Sequence, residues 1–299
     1  MQKNIIIIDM PRKLENNMIS LEFLASNLYN STKDIKDSMV ILDFTKTRWL
    51  EANLTAILGA IFYTLYQNGN NIGISGVNDS IARVLNKNSF LESFGVLERI
   101  EDTYDSTIKY ASFNPEEKVH FQKYLKEEFL PKIKLRMTPE FNKELRLNLE
   151  EVFQNARIHG ESKCIFVCGQ YFYKTQSVKF TIVNLGKTIP ENVWQKLKTF
   201  ISPEKCIDWA TKEGNSTKVD TSGGIGLFQL SEFLKENEGK LQIISSLGFW
   251  QQDRGFIEKN CLEHPFLGTI VNIDVRINNK IYLSSKERNK LNRAVNNIF

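Results

Sequence analysis

The sequence predicts an α/β unit followed by an α+β unit. Three observations carry this. Over the first hundred residues, short apolar runs alternate with helix-length stretches, the pattern of strands covered by helices. In the second half the apolar runs gather after an initial helix pair, without that alternation. Finally, 299 residues is twice the usual domain length of roughly 150.

The elements follow in order. Residues 5–8 are four isoleucines ended by Asp9-Met10-Pro11, read as a buried strand. Ile19, Phe23, Leu24 and Leu28 have helical spacing over residues 18–29. Residues 38–44 form a second strand, 54–66 an apolar helix closed by Gly69-Asn70-Asn71, and 72–74 a third strand before a polar helix at 79–85. The charged, proline-bearing stretch at 113–117 is the expected linker, which divides the chain into 1–112 and 113–299. After it, 116–129 reads as a helix halted before Pro131. Thr138-Pro139-Glu140 opens a second helix, with threonine as cap and proline at the first position. That helix is expected to run to His159, where Gly160 ends it. Strands at 164–168 and 178–183, a helix at 193–200, a polar segment at 211–222 and a helix at 224–237 come next. Strands at 241–245 and 269–275 and a basic tail at 280–293 complete the chain.

Composition narrows the function. Thirty-nine basic against thirty-five acidic residues gives +4, with the basic residues scattered, so nucleic acid is not an expected partner. The tail alternates Lys and Arg with polar residues and reads as a solvated terminal helix. No run of about 18 apolar residues is present, so no membrane span is expected, and 1–9 is too short for a secretory leader. Cys164, Cys168, Cys206 and Cys261 lack metal-site spacing and read as buried free thiols in the reducing cytoplasm.

The chemistry concentrates on the helix from Pro139. At about 100° per residue, Glu151, Asn155 and His159 share an arc of about 80°. Leu145, Leu149, Val152, Phe153 and Ala156 supply the packed face beside it. A carboxylate one turn before a carboxamide can hold a water and a cation together; the same three residues also read as a solvated face. Further on, Ser222-Gly223-Gly224-Ile225-Gly226-Leu227 opens an apolar-periodic helix. Such glycines let the backbone approach a phosphate, whose charge suits the helix N-terminus, although a simple turn uses them too. Gly-Lys-Ser/Thr is absent, which excludes a P-loop. Val183-Asn184-Leu185-Gly186 ends a strand, and Gly268-Thr269 enters the last one.

Glu-x-x-x-Asn-Ala-x-x-His-Gly, a strand ending Asn-x-Gly, a polar segment, Gly-Gly-x-Gly-Leu and then Gly-Thr, in that order, resemble the GHKL (Bergerat-fold) ATPases and kinases. The likeness is nearest to the anti-sigma-factor serine kinases and covers residues 113–276. It implies a two-layer α/β sandwich that binds ATP with Mg²⁺. Asn155 then resembles the magnesium ligand, Glu151 the base or water-orienting acid, and His159 a basic position of the kinases. Gly223, Gly224, Gly226 and Leu227 resemble the phosphate-side glycine box. Residues 211–222 resemble the mobile lid, whose Lys212 and Lys218 would meet phosphate. Asn184 and Gly186 resemble the base-reading box, and Thr269 the threonine that helps hold adenine. Asn184 stands where the family has aspartate, and Thr188 replaces the box's second glycine.

The first half resembles a STAS domain over residues 5–100, through Val40-Ile41-Leu42-Asp43-Phe44-Thr45, Trp49-Leu50-Glu51, Gly73-Ile74 and Phe94-Gly95-Val96. Where phosphorylatable members carry Asp-Ser-Ser-Gly, this chain has Glu51-Ala52-Asn53-Leu54, which offers no hydroxyl at the serine positions. The two resemblances imply a signalling ATPase or serine kinase fused to a degenerate STAS domain, or a non-catalytic ATP-gated interaction switch. Its expected partner is a regulatory or STAS-containing protein, and a homodimer is compatible with either reading. A gyrase-type DNA-gating role would need a transducer domain beyond Phe299.

Overall fold

Three parallel strands in the order β1-β3-β5 form the sheet of the first half, as the strand–helix alternation predicts. A computed structural model describes residues 4–95, 100–158, 163–216 and 226–296 of the chain. In chain order, β1 is Ile5–Asp9 and β2 is Lys13–Leu14. One continuous helical stretch follows: α1, Met18–Glu22, a π-helical segment, Phe23–Leu28, and α2, Tyr29–Thr32. Then come β3, Met39–Asp43, β4, Trp49–Leu50, α3, Thr55–Gln67, β5, Asn71–Ser75, and α4, Asp79–Lys87. Asn78 caps α4 by accepting from the Ser80 and Ile81 amides, with Asp79 in its first turn and Lys87 in its last. The helices' apolar residues close over Val40 and Leu42, with Ile8, Ile72 and Ile74 partly covered beside them. Ile5 and Ile7 are 60% and 64% exposed, so the strand expected to be buried is open on one face. A solid apolar run signals two covered faces; here only one has a cover.

The second half is built on a five-stranded antiparallel sheet in the order β10-β11-β9-β8-β6. Its elements are β6, Thr107–Phe113, α5, Lys118–Tyr124, β7, Arg136–Met137, and α6, Pro139–Ile158. Next are β8, Ile165–Phe172, β9, Ser177–Leu185, α7, Ile189–Leu197, and α8, Pro203–Ala210. The chain continues through α9, Gly226–Glu236, β10, Lys240–Asp253, β11, Phe256–Arg276, β12, Ile281–Tyr282, and α10, Ser285–Asn296. α6 starts as expected, with the Thr138 hydroxyl accepting from the Phe141 amide at 3.1 Å.

Three sequence expectations change, and a fourth is met with an addition. The boundary at 112/113 falls inside β6, where Phe113 pairs with Ile165 of β8, so the five-stranded sheet begins upstream of the expected linker. A register shift between Ile108 and Ala111 breaks the alternation that would have marked this strand. β10 and β11 extend far beyond 241–245 and 269–275, because bulges at Ser245 to Gly248 hide the longer hairpin. The basic tail ends in the solvated terminal helix expected of it, α10, and is anchored just ahead of it: Tyr282 is fully buried, β12 pairs with β7, and the Ser285 hydroxyl donates to Glu144 at 2.6 Å. Finally, Cys261 is exposed, whereas burial pushes the Cys168 thiol up to about 12 and those of Cys164 and Cys206 up to about 11.

The sheet separates two cores. On one face Val178, Phe180 and Ile182 pack under α5, α6 and α9. On the other, Phe166, Cys168, Val183 and Ile270 join the apolar residues of the first half in a single cluster. Within this interface Lys179 meets Glu51 at 2.6 Å, and Asn53 donates to Thr181 at 2.9 Å. Thr181 in turn donates to Asn272, while the Asn16 amide donates to Glu51 at 2.9 Å.

Candidate functional site

Alternation along β9 sends Lys179, Thr181 and Val183 to the first half, and Ile182 and Asn184 the other way, into a cleft. Ile182 and Asn184 of β9, with Thr269 and Val271 of β11, form its floor. α6 supplies Val152, Asn155 and Ala156 along one wall. Ile189, Asn192 and Val193 of α7, with Lys187 before it, form the opposite wall. Trp209 and Ala210 of α8, Asn215, Ser216 and Leu227 of α9 close the remaining side. The cleft holds about 810 Å³ of empty space and opens to solvent. An apolar slot with a few placed polar groups is the usual chemistry of small-molecule sites.

Local sequence explains each wall. Asn184 lies across from Thr269 in register, and the two strands approach closely because residue 268 is glycine. A Cβ there would stand 2.1 Å from the Asn184 carbonyl oxygen, so no other residue fits. The Thr269 hydroxyl lies 2.8 Å from that of Ser245, which donates to the Gly268 carbonyl at 2.8 Å and accepts from the Ile189 amide at 2.9 Å. This chain of bonds ties the floor to the start of α7. There Thr188 caps the helix: its hydroxyl accepts from the Glu191 amide, and the Glu191 carboxylate accepts from the Thr188 amide at 2.6 Å. Thr188 in place of the family's glycine is thus a helix cap.

Glu151 sits one turn before Asn155 on α6, half-buried beside the start of α9. A Cβ on Gly226 would meet the Glu151 Cβ at 2.8 Å and its carboxylate at 2.9 Å. Glycine therefore lets α9 begin against this acid, where the helix's N-terminal end favours negative charge. Glu150, its neighbour, points elsewhere and accepts from Gln122 at 2.7 Å.

Of the residues singled out in the sequence, Asn155, Asn184, Leu227 and Thr269 line the cleft together, with Glu151 and Gly226 touching at its edge. Gly186 does not line it. That glycine turns the chain after β9 at φ 117° and donates to the Leu267 carbonyl. Lys212 is engaged elsewhere, 3.0 Å from Asp208. Burial pushes the Asp208 carboxyl up, but hydrogen bonds from Lys212 and Trp250 and the charge of Lys259 outweigh it and hold the group below its ordinary value. His159, Gly160, Lys218, Gly223, Gly224, residues 217–222 of the polar segment and Val96 of the first half lie outside the described residues.

Sequence reasoning missed α8 and with it Trp209, whose carbonyl accepts from Asn215 at 2.9 Å. Ser202-Pro203-Glu204, a cap residue followed by proline and an acid, was the available signal. Among the described residues no helix is long and apolar enough to cross a membrane, and no group of three or more His, Cys, Asp or Glu converges to hold a metal. No model of a known protein family matches the chain, and no curated protein matches it.

Proposed function

We propose that this chain is a cytoplasmic Mg-ATP-binding signalling protein of the GHKL type, carrying a STAS-like unit at its front. One observation carries the reading: Asn155, Asn184, Leu227 and Thr269, chosen from four motifs far apart in sequence, line a single cleft. The five-stranded antiparallel sheet with helices over one face is the layering that the resemblance implies. The base would enter between Asn184 and Thr269, with Ile182 and Val271 as its apolar floor. The phosphates would lie toward Asn155 and the start of α9.

The donor set suits magnesium only as a nucleotide complex. Asn155 is a single neutral oxygen ligand, too little to hold a free ion, but Mg²⁺ characteristically takes few protein ligands and completes its shell with phosphates and water. When bound, the metal neutralises phosphate charge. Asn155 then orients that complex on α6, and Glu151 accepts a proton from, or aligns, the attacking water or hydroxyl. Asn155→Ala is expected to abolish magnesium-dependent ATP binding in a folded protein, measured by titration calorimetry with and without Mg²⁺. Unchanged affinity would remove the assignment.

A second reading, an ATP-gated interaction switch without turnover, is favoured by the loop at residues 51–53. In the STAS resemblance this loop presents the phosphoacceptor; here Glu51, Ala52 and Asn53 are buried against β9 and lack a hydroxyl. Turnover that Glu151→Ala suppresses while ATP binding persists selects the enzyme. Binding without turnover in the wild type, alone and with a regulatory protein partner, selects the switch.

A further inference from the structure

Building on the nucleotide reading of the cleft, we infer that its base pocket does not discriminate between a 6-amino and a 6-oxo purine, and takes ITP alongside ATP. The residue responsible is Asn184. It is 6% exposed, lies on the cleft floor beside Thr269, and its carboxamide makes no hydrogen bond among the described residues. Three other buried carboxamides are held in one orientation. Asn70 donates to the Ile35 and Leu65 carbonyls while accepting from the Ser38 amide. Asn88 donates to Thr55 and accepts from the Phe90 amide, and Asn237 donates to the Arg276 carbonyl and accepts from the Arg276 amide. Flipping any of these amides would set donor against donor and acceptor against acceptor. Asn184 carries no such constraint.

The consequence follows from the atoms of the bases. Adenine presents an amino donor at position 6 and an acceptor at N1. Hypoxanthine presents a carbonyl acceptor at position 6 and an N1–H donor. A carboxamide has one acceptor oxygen and a donor nitrogen, so it complements the first edge in one orientation and the second after a half-turn about its last torsion. A carboxylate can only accept, and would oppose the 6-oxo group with like partial charge. The neighbouring Thr269 hydroxyl is fixed instead: its hydrogen goes to Ser245, which leaves it an acceptor toward the cleft, so the choice between the two edges rests on Asn184. Ser245 gives its one O–H to the Gly268 carbonyl and so accepts from Thr269 at 2.8 Å.

The test compares nucleotides that differ only at this edge. Mg-ATP and Mg-ITP are titrated calorimetrically into the full chain, wild type and Asn184→Asp. The wild type is expected to bind them with affinities within about tenfold of each other. The aspartate variant is expected to separate them by about a hundredfold or more in favour of ATP, the size of penalty a mispaired buried polar group produces. Wild-type binding of ATP with a separation above about thirtyfold would overturn the inference and leave the nucleotide reading standing. A ratio unchanged by Asn184→Asp would remove Asn184 as the reader. If the folded wild type binds neither nucleotide, the nucleotide reading falls and takes this inference with it.

Discussion

The two faces of the five-stranded sheet treat their polar residues in opposite ways. Toward the first half, Lys179 is paired with Glu51, and Asn53, Thr181 and Asn272 are linked in a chain. Toward the cleft, Asn184 is just as buried and has no protein partner among the described residues. Lys179 and Thr181 on one side and Asn184 on the other come from a single strand, β9. Buried polar groups cost free energy unless bonded; the first face links its side chains within the chain, though Asn53 Oδ1, Asn272 Nδ2 and Asp274 Oδ1 stay without a partner there, while on the second face Asn184 lines an open cleft. The back of the sheet is an interface; the front is an open cleft.

The largest expected effect breaks the back face. Lys179 and Glu51 have 14% and 8% of their side chains exposed, so Glu51→Ala strands a buried ammonium and should cost about 3–5 kcal/mol in urea unfolding. Asn184→Ala, on the front, should cost no more than about 1 kcal/mol in the same experiment, while weakening nucleotide binding. A reversal of that order would mean the two faces are not divided as described.

A middle-sized effect sharpens the site. Gly226→Ala puts a Cβ 2.8 Å from that of Glu151, a contact neither backbone can evade by rotating a side-chain tip. It should cost about 1–3 kcal/mol and lower any turnover more than ATP affinity, read from steady-state rates against calorimetry.

The smallest effect has opposite signs in two regions. Burial holds the Asp274 carboxyl of the back face above its ordinary 3.8, against the opposing charges of Lys179 and Lys240. The folded state therefore keeps that proton longer than the unfolded chain. The resulting penalty is absent below 3.8, grows as pH rises through the raised value, and is removed by Asp274→Asn at neutral pH. Asp208, beside the cleft wall, is held below 3.8. Its contribution is present above that value and is lost as pH falls through the lowered one, so Asp208→Asn should destabilise at neutral pH and be harmless in strong acid. Unfolding midpoints of both variants across acid to neutral pH test the two signs.

Much of this was legible in advance. The cap at Thr138-Pro139, the apolar stripe of α6 and the polar arc of Glu151 and Asn155 follow from helical period and capping chemistry, which are local. So do the alternation of the first half and the glycine opening of α9. The sequence by itself therefore determined the elements that bear the motifs and the residue types they offer. What the tertiary structure decided is which of those residues meet. β9 alternates polar and apolar over residues 177–182, but Val183 interrupts the polar series, and both faces are covered, so the pattern does not say which side faces the first half and which the cleft. β6 and the long hairpin are masked by bulges that shift the period. Local rules act through bonds a few residues apart. The cleft, the wall made by Trp209 and the burial of the loop at 51–53 arise from pairings between segments distant in the chain, and no short window of sequence contains both partners.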